Sequence, residues 1–327
     1  MLNTESQLPL VTIITPAYNR ASFLEETIVS VLDQNYPRLE YIVLDDGSTD
    51  DTLEVIRKYD GKLVWETHSN MGETRTVNKG FTMAHGEIIG VVNSDDPLLP
   101  DAVAKIINKF MEDRELLVVY PDWDMIDADG NLMQIITTCD YDYVNMLRWH
   151  HCVPGPGTFF RREVVEKTKG RDTEFRYVAD FDFWLRAGLL GPFARIPERL
   201  ATFRVHSDSA SVSHQGTEMA EEHIHLVNKL FSQTGLPDTM LKIKRDAYSS
   251  AYYIAGCVCG DKLSNIKKKY FVLAICFAPL KYLTEYRERL FVILPEILGK
   301  LYTLVGCAVN FCVRIKKISK DISAKCQ

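Results

Sequence analysis

The sequence predicts an α/β protein, a mostly parallel sheet flanked by helices and followed by a helical C-terminal region. Three observations predict it. β-Branched apolar runs alternate with segments of helical period over residues 10–92. The runs are continuously apolar, as in strands buried on both faces. Polar clusters, "TPAYN", "DDGSTD" and "NSDD", stand where these runs end, and open parallel sheets bind ligands at the carboxyl ends of their strands.

The elements follow in order. "LVTIIT" (10–15) reads as the first strand. In "SFLEETIVSVLDQ" Leu24, Ile28, Val31 and Leu32 share a helix face, and Ser22 with Glu25 has the spacing of a capping box. "EYIVL" (40–44) is a strand, "DTLEVIRKY" (51–59) a helix and "KLVWET" (62–67) a strand. "TRTVNKGFTMAH" (74–85) is a helix and "EIIGVV" (87–92) a strand. After about residue 115 come "LLVVYPDWDMID", a loop "HHCVPGPGTFFRR" and a helix "DFDFWLRAGLL". Helical patterns dominate from 215, which divides the chain into a catalytic unit, 1–214, and a helical region, 215–327.

The 327 residues, 46% hydrophobic and 25% charged, suit a globular protein with one large domain or a medium one with an appendage. The N-terminus "MLNTESQLPL" lacks the basic start and apolar core of a secretory signal. None of the eight cysteines forms a CxxC pair, so reduced thiols in a cytoplasmic protein are expected. From Lys262 onward the chain carries 13 Lys/Arg against 4 Asp/Glu; the first 261 residues carry 25 against 40. An acidic body argues against nucleic acid as a partner, and a basic, apolar tail suggests peripheral contact with an anionic membrane at its cytoplasmic face. Two tail blocks, 270–280 and 301–313, are each shorter than the roughly 20 residues of a spanning helix. They read either as interfacial helices with a basic flank or as a helical subdomain with a homo-oligomer face.

Neither GxGxxG nor GxxxxGK[ST] occurs, which removes the common phosphate loops. Tyr18 can stack on a base or simply pack. "LDDGSTDD" is ordinary turn chemistry, although a carboxylate after the second strand can also accept from a base N–H. In "NSDD" one aspartate suffices to cap a following helix. The second needs compensation, and a hard cation bridging to phosphates supplies it.

Taken together, "VTIITPAYNRASFLEETIVSVLDQNYPRLEYIVLDDGSTDDTLEVI", "NMGETRTVNKGFTMAHGEIIGVVNSDD", "TFFRREVVEK", "DFDFWLRAG" and "FRVHSDSAS" resemble the family 2 glycosyltransferases, inverting enzymes of the Rossmann-like GT-A fold. The resemblance covers about residues 9–212. It implies a nucleotide-sugar donor, a UDP-sugar before others, and a saccharide or lipid-linked acceptor in cell-surface polysaccharide biosynthesis. It implies that Tyr18, Asp46 and Asp45 hold the nucleoside, that Pro16 shapes the pocket, and that Asn78 and Lys79 line the nucleotide cleft. Asp95 and Asp96 match the DxD-type motif. Asp96 would ligate Mn²⁺ or Mg²⁺, Asp95 would serve the sugar, ribose or metal, and His206 would approach the diphosphate or metal. Asp180 matches the catalytic base, with Asp182 behind it. Two positions depart from the pattern: Asn93 stands at the first DxD position, and Ala179 where a Glu often precedes the base. They leave open a catalytically silent nucleotide-sugar-binding subunit of a glycan assembly complex.

Overall fold

The computed structural model describes residues 8–207, 209, 216–260, 264–279 and 281. Its first half alternates β1 (Val11–Ala17), α1 (Leu24–Leu32), β2 (Leu39–Asp45), α2 (Thr52–Arg57), β3 (Val64–Thr67), α3 (Glu73–Met83) and β4 (Ile88–Val91). Then come α4 (Ala102–Glu112), β5 (Val118–Ile126), β6 (Leu132–Ile136), α5 (Tyr143–Trp149), β7 (Phe159–Arg161), α6 (Arg162–Thr168), α7 (Ala179–Ala187) and β8 (Phe193–Arg204). Four helices follow: α8 (Thr217–Phe231), α9 (Asp238–Lys242), α10 (Lys244–Val258) and α11 (Ser264–Phe277).

The sheet runs β3-β2-β1-β4-β7-β5-β6, with β8 also paired to β5. β1 is parallel to both β2 and β4, so the order reverses around it and opens a crevice at the strand ends. β7 is antiparallel to β4 and to β5, and β8 is parallel to β5. The β5–β8 register shifts at Pro121 and Asp122, where proline has no N–H for the ladder.

Every residue of β1 is buried, because helices cover both faces. On one side Leu24, Ile28 and Val31 of α1, Val55 and Ile56 of α2, and Val103, Ile106 and Phe110 of α4 pack on Val11, Ile13 and Val43. On the other, Val77 and Phe81 of α3 and Phe181, Phe183 and Trp184 of α7 pack on Ile14, Ile42, Leu44 and Phe160. Each such side chain contributes about 1.5–3 kcal/mol on full burial. Gly80 lets α3 close on β1, since a Cβ there would stand 2.5 Å from Ile14 Cγ2.

Leu226, Val227, Leu230 and Phe231 of α8, Met240 of α9, and Ala247 and Ala251 of α10 join the core that holds Phe181 and Trp184. α8, α9 and α10 therefore bury apolar residues against the same layer that carries α7, while Tyr270 and Ala274 of α11 pack in separate clusters with residues of α10. Among the described residues no helix is long and apolar enough to cross a membrane, and Cys139, Cys152, Cys257, Cys259 and Cys276 are thiols. The tail block 301–313, the basic end "RIKKISK" and residues 282–300 before them lie outside the described residues.

The capping box expected at Ser22 and Glu25 does not form. Phe23 is the N-cap of α1 and makes no side-chain cap bond. The chain enters α1 held from the next loop instead: Ala21 N–H donates to Asp50 Oδ2 at 3.1 Å and Arg20 N–H to Thr52 Oγ1 at 2.8 Å.

Candidate active site

The polar clusters at the ends of β1, β2 and β4 meet, as the parallel sheet requires. Pro16 is buried at the end of β1 opposite Leu44, and Tyr18, just beyond, is 44% exposed on the rim. Asp45 and Asp46 lie under that rim. Asp45 accepts from Ser48 N–H at 3.1 Å and from the Thr67 hydroxyl at 2.6 Å. Asp46 accepts from the N–H groups of Met71 at 2.7 Å and Gly72 at 3.0 Å. Each oxygen of both carboxylates holds one of these donors, so the pair ties down the loops that frame the crevice. Asn78 likewise turns from the crevice: its amide bonds both the carbonyl (2.7 Å) and the N–H (2.8 Å) of Arg171. Lys79 pairs with Glu66 of β3 at 2.6 Å.

In "NSDD" the two adjacent carboxylates diverge. Asp96 is buried; its Oδ1 accepts from Arg204 N–H at 2.8 Å and its Oδ2 from Asn93 Nδ2 at 2.9 Å. Burial first, then the charge of Asp95, push its pKa well above the usual carboxylate range. It does not cap α4, whose N-cap is Asp101. Asp95 points the other way. His206 Nε2 lies 2.9 Å from its Oδ2, and Arg20 Nε lies 3.4 Å from the same atom. Asp96 thus has both oxygens bonded within the fold, whereas Asp95, partly buried, turns one oxygen to an imidazole.

Arg204 holds this geometry together, although the reading of the sequence gave it no role. Its Nε donates to the Asp95 carbonyl at 3.0 Å, its Nη1 to the carbonyls of Asp127 and Ala128, and its Nη2 to Glu26. Arg204 is 2% exposed, and a buried guanidinium needs such a set of acceptors. Arg20 was also missed. A basic residue in the first strand-end loop was the available signal.

Among the described residues no three His, Cys, Asp or Glu side chains converge on one point. Asp95 and His206 supply one carboxylate oxygen and one imidazole nitrogen. That donor set fits a divalent cation that takes its remaining ligands from a diphosphate and water.

Asp180 occupies the first turn of α7, exposed, with Oδ1 accepting from Phe181 N–H at 2.7 Å. It lines a cavity of about 130 Å³ together with Asn93, Arg171, Thr158, Trp184 and the loop Pro154–Gly155–Pro156. That loop is part of the stretch the sequence marks out after residue 150. Asp182 is buried and bound by Arg186 at 2.6 Å, while Arg186 also reaches the carbonyls of Thr168 and Gly170. Burial raises the Asp182 pKa, with Arg186 opposing the rise.

The sheet order, the strand-end crevice and the cavity bearing a carboxylate define a GT-A-type transferase scaffold. The sequence model described as "Glycosyl transferase family 2" matches residues 12–169, just under half of the chain, and that stretch is a domain of this family. It is 29% identical over 237 residues to the hyaluronan synthase of Pasteurella multocida, covering 71% of this chain and 24% of that protein. It is 28% identical over 244 residues to the chondroitin synthase of Escherichia coli, covering 71% and 34%. The chain thus spans about a quarter to a third of the length of these relatives. Its fold matches S. aureus TarS 1–349, solved with UDP-GlcNAc, at a TM-score of 0.63 and 17% identity, over 81% of each chain. It also matches the mannosyltransferase PcManGT from Pyrobaculum calidifontis, solved with GDP-Man and Mn²⁺, at 0.58 and 18%, over 90% of this chain and 81% of that one.

Proposed function

We propose that the protein is an inverting, metal-assisted glycosyltransferase. It moves a sugar from a nucleotide diphosphate sugar, a UDP-sugar before others, to a hydroxyl of a glycan or lipid-linked acceptor in cell-surface polysaccharide synthesis. The observation that carries this reading is the single cavity shared by Asp180 and Asn93, the latter opening the stretch that ends in Asp95. It supports the reading because it sets a carboxylate near the strand end that carries Asp95.

Tyr18 offers an exposed ring for the base, while Asp45 and Asp46 hold the loops around it. Asp95 and His206 would hold Mn²⁺ or Mg²⁺, which when bound offsets charge on the leaving diphosphate. Arg20, beside Asp95, adds a fixed positive charge on the same side. The acceptor oxygen attacks the anomeric carbon from the face opposite the nucleotide. The bond to the diphosphate oxygen breaks, its electron pair leaves with the nucleoside diphosphate, and the acceptor proton passes to Asp180. A hydroxyl is a poor nucleophile at neutral pH, so the carboxylate's help is required in the transition state.

A thermal-shift panel tests the reading: UDP, GDP, UDP-glucose, UDP-N-acetylglucosamine, UDP-glucuronate and GDP-mannose, each with Mn²⁺ and with EDTA. A ligand bound only by the native state raises the melting temperature by mass action. Release of nucleoside diphosphate from the stabilising sugar nucleotide supports the transferase. Binding with no release and no transfer supports the silent subunit, for which Ala179 speaks. No shift with any ligand sinks both. Peripheral contact of the basic tail with an anionic membrane, and self-association, belong to the same proposal; Lys267–Lys269 of α11 and the buried Lys281 are the described basic residues of that tail.

A further inference from the structure

The catalytic carboxylate stands on a segment whose backbone is held by α8, beyond the residues that the family's sequence model matches. Glu222 of α8 accepts from the N–H of Arg176 at 2.9 Å, Tyr177 at 2.7 Å and Val178 at 3.3 Å. Val178 is the N-cap of α7, which makes no side-chain cap bond of its own, and Asp180 follows two residues later. One carboxylate thus gathers three successive donors at the entry to the catalytic helix. Bonds of this kind, with an ionised acceptor, are about twice as strong as neutral ones.

The rest of the segment is tied down in the same way. Lys229, two turns further along α8, pairs with Asp172 and with Glu174. Thr74 of α3 donates to the Phe175 carbonyl at 3.1 Å, and Asn78 clamps Arg171. Residues 171–178 are therefore clamped between α3 and α8.

We propose that Glu222 is a positioning residue for the transfer: it fixes the backbone at 176–178 and so aims Asp180 at the acceptor. The proposal rests on Asp180 being the base. Placement to within a fraction of an ångström matters here, because a displacement of about 1 Å can lower a rate roughly 10²-fold.

The test compares the full-length wild type with Glu222→Ala, Glu222→Gln, Asp180→Asn and the Glu222→Ala/Asp180→Asn double variant. The reaction read is diphosphate release from the sugar nucleotide selected by the thermal-shift panel, with water as acceptor. Glu222→Ala should lower kcat about tenfold to a hundredfold while donor KM stays within about twofold. Glu222→Gln, which keeps one accepting oxygen, should lose only about threefold to tenfold, and it carries the test if the alanine variant does not fold. In the Asp180→Asn background, Glu222→Ala should cost less than about twofold, since residues acting as a unit are not additive. Hydrogen exchange at the amides of 176–178 should quicken in Glu222→Ala and leave β1 and β4 unchanged. Wild-type kcat in Glu222→Gln and in any folded Glu222→Ala, an equal loss with and without Asp180, or unchanged exchange at 176–178 each overturns the positioning role while leaving Asp180 as the base. Wild-type turnover in Asp180→Asn overturns the base assignment and this proposal with it.

Discussion

His206 Nε2 lies 2.9 Å from Asp95 Oδ2, across 111 residues of sequence. The contact joins the segment after β8 to the end of β4, and it marks the place proposed for a cation. If these two side chains are its protein ligands, each should matter for nucleotide binding only when metal is present. Calorimetric titration of UDP in Mn²⁺ should show losses in His206→Ala and Asp95→Asn beyond the tenfold to roughly hundredfold typical of outer-shell partners. In EDTA both variants should match the wild type. Metal-independent binding by the wild type would sink the metal reading.

Asp96 should behave differently, because it holds the fold around the site. Asp96→Ala orphans the Arg204 N–H and frees the Asn93 amide. Leaving a buried donor unpaired costs about 1–3 kcal/mol, which urea denaturation would read as a lower midpoint. If Asp96→Asn instead abolished Mn²⁺-dependent UDP binding at unchanged stability, Asp96 would regain the ligand role that its sequence position suggests.

Asp180→Asn keeps the size of the side chain and removes the proposed base. Turnover should fall by roughly 10²–10⁴-fold, the usual contribution of general-base catalysis, with nucleotide-sugar binding nearly unchanged. Asp182→Asn is the control. It weakens the bond to Arg186, so its loss should appear in thermal stability more than in kcat. Retained transfer by Asp180→Asn would move the search for the base to Asp182.

A buried histidine pair sets an acid limit on stability. His150 Nε2 lies 2.9 Å from His223 Nδ1, and among the described residues His150 Nδ1 and His223 Nε2 have no hydrogen-bond partner. Burial, then His223 and Lys281, hold His150 well below the ordinary histidine value, and burial lowers His223 to about 4. The unfolded chain therefore binds more protons than the native state between about pH 6.5 and 4. The pair's contribution is present above about pH 6.5 and is lost as pH falls towards 4. Denaturation midpoints should fall over that window, and the fall should shrink in His223→Gln. A midpoint slope unchanged in that variant would assign the acid sensitivity to other groups.

The sequence by itself determined the sheet and its ligand-binding edge. β1, β2 and β4 are continuous apolar runs, and covering both faces of a parallel strand leaves such runs no other use. The clusters at 16–20, 45–50 and 93–96 had to meet once those strands aligned in parallel. Asp180 was legible because Phe181, Trp184 and Leu185 fix the buried face of α7 and leave its neighbour outside. Tertiary structure alone decided which carboxylates face the crevice. Asp95 and Asp96 are adjacent in a turn, so their directions depend on partners as distant as Arg204 and His206, and no local period encodes such a choice. The same holds for Asn78, whose bonds run to Arg171, and for Ser22 and Glu25, where contacts from Asp50 and Thr52 replaced the local cap. α8 is the furthest case. Its helical period is plain in the sequence, but that Glu222 reaches the backbone ahead of Asp180 follows only from packing α8 against α7, because a hydrogen bond is set by position in space and not by distance along the chain.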